Sequence, residues 1–111
     1  MANKLLKTLV LELLEDKQAE AIQTYHVKGQ SPLTDWVIVS TINNLRKMEA
    51  IVLAFRKQFT HHEKYKVHHI EGQANSGWMI VDLYDVVVHL MDQPTRDQMK
   101  LDDILIRQVK P

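Results

Sequence analysis

The sequence predicts one α/β domain on a mixed sheet of about five strands flanked by helices, and three observations carry that reading. Segments with helical spacing alternate with segments rich in β-branched residues. The run Trp36-Val37-Ile38-Val39-Ser40-Thr41 is apolar at nearly every position, as a strand covered on both faces requires. Residues 78–81 and Val86–Met91 are separated only by Asp82-Leu83-Tyr84-Asp85, short enough for a β-hairpin. A chain of 111 residues has room for one core, so a single domain over 1–111 is expected.

Each element follows from local pattern. Over residues 3–15, Leu5, Leu6, Leu9, Val10, Leu13 and Leu14 recur at three and four positions, interrupted by Lys4, Lys7, Glu12 and Glu15, which gives an amphipathic helix. Residues 21–27 alternate weakly through Ile22, Thr24, Tyr25 and Val27 and read as a strand, and Lys28-Gly29-Gln30-Ser31-Pro32 then supplies turn chemistry. The strand from Trp36 to Thr41 should be central. Asn43 or Asn44 can cap the next helix, because an Asn side chain accepts a bond from an otherwise orphaned amide in the first turn. Met48, Ile51, Val52, Phe55 and Phe59 hold helical spacing as far as Thr60-His61-His62-Glu63-Lys64. A short strand is expected over 65–70, followed by a loop from Glu71 to Gly77 whose two glycines reach backbone conformations closed to other residues. After the hairpin, Pro94 opens a last helical stretch, since the first turn does not use the amide hydrogen proline lacks. Leu101, Ile104 and Leu105 form its apolar face.

Composition narrows the function classes. Fourteen Lys and Arg offset fourteen Asp and Glu, so a general electrostatic grip on nucleic acid lacks its usual cause and little direct nucleic-acid binding is expected. The absence of Cys excludes a disulfide framework, a thiolate zinc site and a cysteine nucleophile together. No P-loop, dinucleotide fingerprint or nucleophile elbow occurs, and no cofactor is implied. No apolar run approaches a membrane span, which points to a cytoplasmic protein without membrane contact.

Three blocks carry a family resemblance. They are Asp16-Lys17-Gln18-Ala19-Glu20; Leu33-Thr34-Asp35-Trp36-Val37-Ile38-Val39-Ser40; and Glu71-Gly72 with Trp78-Met79-Ile80-Val81-Asp82-Leu83-Tyr84-Asp85-Val86-Val87-Val88-His89, continuing to Pro94, Arg96 and Leu101. In order and separation they resemble the ribosomal silencing factor, or Iojap-like, family, the third block being the most specific. Departures are visible. Thr41-Ile42-Asn43-Asn44 and Lys47 stand where the family carries a Gly-Thr-Ser-like turn and a Gln; Asp82-Leu83-Tyr84-Asp85 replaces its usual Asp-Tyr-Gly-Asp; and Met99 stands where a bulky aromatic is usual. The resemblance implies a nucleotidyltransferase-like topology and a non-catalytic factor that binds the large ribosomal subunit through ribosomal protein uL14. Such a factor blocks joining of the small subunit and represses translation. Some members of the family act instead in organelle ribosome assembly.

Seven residues are expected to bind the partner. Trp78, at a strand start behind a Gly-containing loop, can offer a large rigid apolar surface or close the end of the core, and Met79 follows it. Asp35 and Trp36 begin the central strand, where they either bind a partner or close the core. Asp82, Asp85 and His89 would suit metal-dependent nucleotidyl transfer, the alternative enzyme reading, but Asp in a tight connection ordinarily satisfies turn amides and a strand His ordinarily sits buried in a hydrogen bond. Asp85 and His89 stay in the docking set because the resemblance covers them. Arg96 is the seventh, pairing with Asp92 or Asp97. The pairs His61-His62 and His68-His69 are not expected to bind metal, because neighbours on a strand point to opposite faces and neither pair has a ligand spacing. A homodimer through Leu5, Leu9, Val10 and Leu13 of the first helix, left partly exposed in the monomer, is a further possibility.

Overall fold

The computed structural model describes residues 2–27 and 34–109, with 2–5 as backbone only. Helix α1, Ala2–Asp16, buries Leu6, Val10, Leu13 and Leu14 along one stripe. Just beyond its end, Gln18 turns the chain with a φ of 61° while the Ala19 amide bonds back to Leu14 O at 2.9 Å. Strands β1, Glu20–His26, and β2, Trp36–Thr41, precede helix α2, Leu45–Thr60. Asn44 is the cap of α2, its Oδ1 accepting from the Lys47 amide at 2.9 Å, so one of the two candidate asparagines takes the first turn. The other, Asn43, accepts from the Gln93 amide at 2.8 Å and ties this corner to a later helix. Strands β3, His69–Gln73, β4, Trp78–Asp82, and β5, Val86–Met91, lead to α3, Gln93–Met99, and α4, Leu101–Gln108.

The five strands form one sheet in the order β1-β2-β5-β4-β3. Only β2 and β5 run parallel; the other three pairs are antiparallel, and the mixed five-stranded sheet is therefore as expected. Helices α1 and α2 cover one face, where Val10, Leu14, Met48, Ile51, Phe55 and Phe59 close over Ile38, Val81, Val88 and Leu90. Truncating a side chain as enclosed as Phe55 would cost about 3 to 5 kcal/mol. On the other face Leu105 of α4 packs on Tyr25, Val37, Val39 and Met91, with Leu101 and Val109 beside it. This third layer reaches β1, β2 and β5 and touches β4 only at Trp78; among the described residues, Ile80 of β4 and β3 belong to no cluster on this face. The resulting half-open face positions the site.

Several local expectations are corrected. The strand expected over 65–70 begins at His69 and runs through Gly72, because its pairing with β4 sets its limits: His69 lies opposite Asp82 and Gln73 opposite Trp78. Gly72 belongs inside that ladder at a φ of 88°, where an added Cβ would stand 2.3 Å from Trp78 O. Gly77, at φ 81°, closes the short turn that starts β4. Both glycines thus do need conformations that other residues avoid. The last helical stretch is two helices, broken at Lys100 with φ 52°. Ile104 is half exposed and only Leu101 and Leu105 of the expected face turn inward. In α1, Val10 and Leu13 are inside the monomer, so they are not the exposed stripe that self-association through this helix would use. The expected turn at 28–32, Leu33 and the side chain of Leu5 lie outside the described residues.

Candidate functional site

Directly opposed residues of neighbouring strands share a face, so the register defines the half-open face row by row. One row reads Gln73, Trp78, Met91; the next Glu71, Ile80, His89; the last His69, Asp82, Val87. Met91 is buried under α4, whereas Gln73, Glu71 and His69 on the edge strand are exposed and Trp78, Ile80, Asp82, Val87 and His89 are partly so. Ile80 and Val87 belong to neither buried cluster and are not among the apolar residues packed against one. They are apolar side chains left partly exposed on this face.

Trp78 and His89 stand at the border between the covered and open halves. The Trp78 ring packs against the cluster under α4, and its indole Nε1–H donates to His89 Nδ1 at 3.0 Å. The imidazole must be neutral to accept that bond, with its proton on Nε2. Burial lowers the His89 pKa to about 4, and the more distant Asp102 carboxylate opposes the shift without cancelling it. Trp78 is thus partly buried, packing against the core cluster while staying partly exposed at the edge of the open half.

The other expected residues do not join them. Met79 follows Trp78 and so points to the opposite face, where it packs half-buried against the α1–α2 cluster. Trp36 also lies on that side, stacked on His26 with ring centroids 4.3 Å apart and covered by Lys7, whose Nζ is 3.7 Å from the ring centroid. Asp35 and Asp85 meet at the sheet end where β2 and β5 begin, through the backbone: the amides of Asp35 and Trp36 both donate to Asp85 O, at 3.1 and 3.0 Å. That end is separated from Trp78 by the length of β4, roughly 13 Å for four residue steps. Asp82 satisfies the Tyr84 amide at 2.9 Å, the turn role expected of it.

Arg96 pairs with neither Asp92 nor Asp97, which corrects the expected partner. Asp92 caps α3, accepting from the Thr95 amide at 2.9 Å, and Asp97 accepts from Gln93 at 2.7 Å. The break at Lys100 instead folds α4 back so that Asp102 receives Arg96 Nε at 2.8 Å and Nη2 at 3.0 Å. Nη1 donates to Ala21 O and Thr41 Oγ1, both at 2.8 Å. With its side chain 9% exposed, Arg96 is a clamp between α3, α4, β1 and β2. Its hydrogen bonds hold the Asp102 carboxyl below its ordinary value. Tyr25 donates to the same carboxylate at 2.5 Å, and burial, then that bond, push its pKa up to about 12.

The histidine pairs differ from one another. His62 Nδ1 accepts from the Lys64 and Tyr65 amides, both at 3.1 Å, and is spent on a turn. His68 precedes β3 instead of lying within it, so strand alternation does not separate it from His69. Potential ligand atoms of His68, His69 and Asp82 lie within 4.8 Å of one another, contrary to the expectation that the His68-His69 pair lacks a metal-binding arrangement. The residues of the open face that sequence reasoning missed, Ile80, Val87 and Glu71, carry a signal only in retrospect. Strand alternation groups Ile80 with Trp78 and Asp82, but nothing local says that their face is the one left open.

The known proteins this chain resembles are consistent in kind. The sequence model described as "Ribosomal silencing factor during starvation" matches residues 2–108. A ribosomal silencing factor of Halalkalibacterium halodurans is 27% identical over 104 residues, covering 94% of this chain and 88% of the relative. A mouse protein named for mitochondrial assembly of the ribosomal large subunit is 26% identical over 98 residues, covering 86% of this chain and 43% of its own length. Among solved structures, a Chromobacterium violaceum protein superposes with a TM-score of 0.86 at 25% identity, over 100% of this chain and 91% of that one.

Proposed function

Because the chain belongs to the ribosomal silencing factor family, we propose that it docks on uL14 of the large ribosomal subunit, keeps the small subunit from joining, and so represses translation without catalysing a reaction. The observation that supports a docking role is the open half of the second sheet face. Ile80 and Val87 lie there partly exposed beside the Trp78–His89 pair, with Glu71, Gln73 and His69 along the edge strand. Interfaces of this kind place a few apolar and aromatic anchors at the centre and polar groups at the rim. An apolar protein surface matches that patch better than a phosphate backbone does, since the chain has no excess of Lys and Arg to release counterions. Asp35 and Asp85 would extend the contact around the sheet end; Met79, Trp36 and Arg96 would act through the fold beneath. A second reading, help in assembling the large subunit, is favoured by the name of the mouse relative.

Co-sedimentation of the purified protein with isolated large subunits tests the proposal. The double variant Ile80→Gln/Val87→Thr removes the uncovered apolar surface without touching either core cluster, so its circular dichroism should match wild type. Its binding should weaken at least ~10-fold, or about 1.4 kcal/mol. Wild type should also suppress the joining of added small subunits. Binding by wild type with unimpaired joining would favour the assembly reading; no binding at low salt would overturn both.

A further inference from the structure

We propose that His68, His69 and Asp82 form a binding site for a divalent transition metal of the zinc type, at the open end of the β3–β4 hairpin. The three side chains offer two imidazole nitrogens and one carboxylate oxygen, all within 4.8 Å of one another. Imidazole with carboxylate suits zinc and its first-row neighbours, whereas magnesium and calcium take oxygen ligands.

The backbone holds these groups together. His69 is directly opposite Asp82 in the β3–β4 ladder, and the His68 amide donates to Asp82 O at 2.7 Å. Asp82 is oriented as well: Oδ1 is held by the Tyr84 amide at 2.9 Å, which leaves Oδ2 directed at His69 Nδ1, 3.6 Å away. That separation exceeds a hydrogen bond. It is close to the spacing of roughly 3.4 Å between two ligands of a tetrahedral zinc ion with bonds near 2.05 Å. The far nitrogen of His69, Nε2, lies 3.7 Å from Glu71 Oε1. A metal-bound imidazole commonly donates its other N–H to a carboxylate, and Glu71 is the nearby carboxylate that a small side-chain shift would bring within hydrogen-bond distance. The His68 ring is T-shaped to His69 at 4.8 Å and tilted against Tyr84 at 4.4 Å, so an edge of that ring reaches the same space.

Three protein ligands leave a fourth position for water, and the exposure of both histidines leaves the site open to solvent. The site is independent of the docking proposal, although His69 and Asp82 sit at one corner of the same face.

The test is calorimetric titration of the untagged, metal-free full chain with zinc chloride at pH 7.5. One zinc per chain is expected, with a rise in melting temperature and no competition from excess magnesium. The variants His68→Gln, His69→Gln and Asp82→Asn should each weaken zinc at least ~10-fold. Asp82→Asn keeps the oxygen that holds the turn, so its fold is preserved and the loss reads the missing charge. The double variant His61→Gln/His62→Gln should bind as wild type does. A wild-type chain that takes up no zinc at micromolar concentration, or His68, His69 and Asp82 variants that bind unchanged, would overturn the proposal.

Discussion

Acidification should destabilise this protein through one histidine, His89, starting below pH 6.5. His89 accepts from the Trp78 indole and is held near pKa 4 by burial, against an ordinary value of 6.5. Protonation would turn Nδ1 from an acceptor into a donor facing another donor. Because the folded pKa lies below the unfolded one, the unfolded chain binds the proton more readily. The contribution of His89 is complete above pH 6.5 and is lost as pH falls toward 4, after which it is level. The whole displacement corresponds to roughly 3 kcal/mol, of which about 2 is lost between pH 7 and 5. Urea unfolding of wild type and His89→Gln at pH 7, 6 and 5 measures this. Gln retains an acceptor for the indole and does not titrate, so the gap between the two proteins should change by about 2 kcal/mol in favour of the variant as pH falls. The Asp102 carboxyl, held below its ordinary 3.8, acts in the same direction in a lower window: its contribution is present above that value and lost only at lower pH. Parallel pH dependences of the two proteins from pH 7 to 5, or a His89 resonance titrating near 6.5, would refute the reasoning.

Three further outcomes follow from backbone and clamp geometry. Tyr84 stands at φ 70°, a conformation that costs a residue with a side chain about 1 kcal/mol; Tyr84→Gly should raise the unfolding free energy measured in urea by up to about that amount, less whatever the His68 ring contact contributes. Gly72→Ala places a Cβ against Trp78 O at a left-handed φ and should lose at least about 2 kcal/mol, with exchange protection lost first in the β3 and β4 amides. Arg96→Lys cannot reproduce the paired bonds to Asp102 together with those to Ala21 O and Thr41 Oγ1. It should cost about 2 kcal/mol by thermal unfolding, while Asp97→Asn, which leaves the clamp intact, should stay within about 0.5 kcal/mol.

The sequence by itself determined most of the helices and strands, because helical spacing and strand alternation are local properties; it misplaced β3 and missed the break at Lys100, which pairing and packing set. Met48, Ile51, Val52, Phe55 and Phe59 announce the buried face of α2, and the continuous apolar run at Trp36–Thr41 announces a strand with no exposed face. Motif spacing also identified the family, since the series from Glu71 to His89 constrains residue types over much of its length. Tertiary structure decided what those elements do for one another. Whether Trp78 or Met79 faces the open sheet depends on which face α4 covers, and α4 is turned onto β1, β2 and β5 by the break at Lys100 and the Arg96–Asp102 clamp. His68, His69 and Asp82 converge because antiparallel register sets residues thirteen positions apart directly opposite each other, as His69 is to Asp82. Such pairings leave no periodic trace in the chain, since they arise from the docking of whole elements and not from the preferences of the residues that meet.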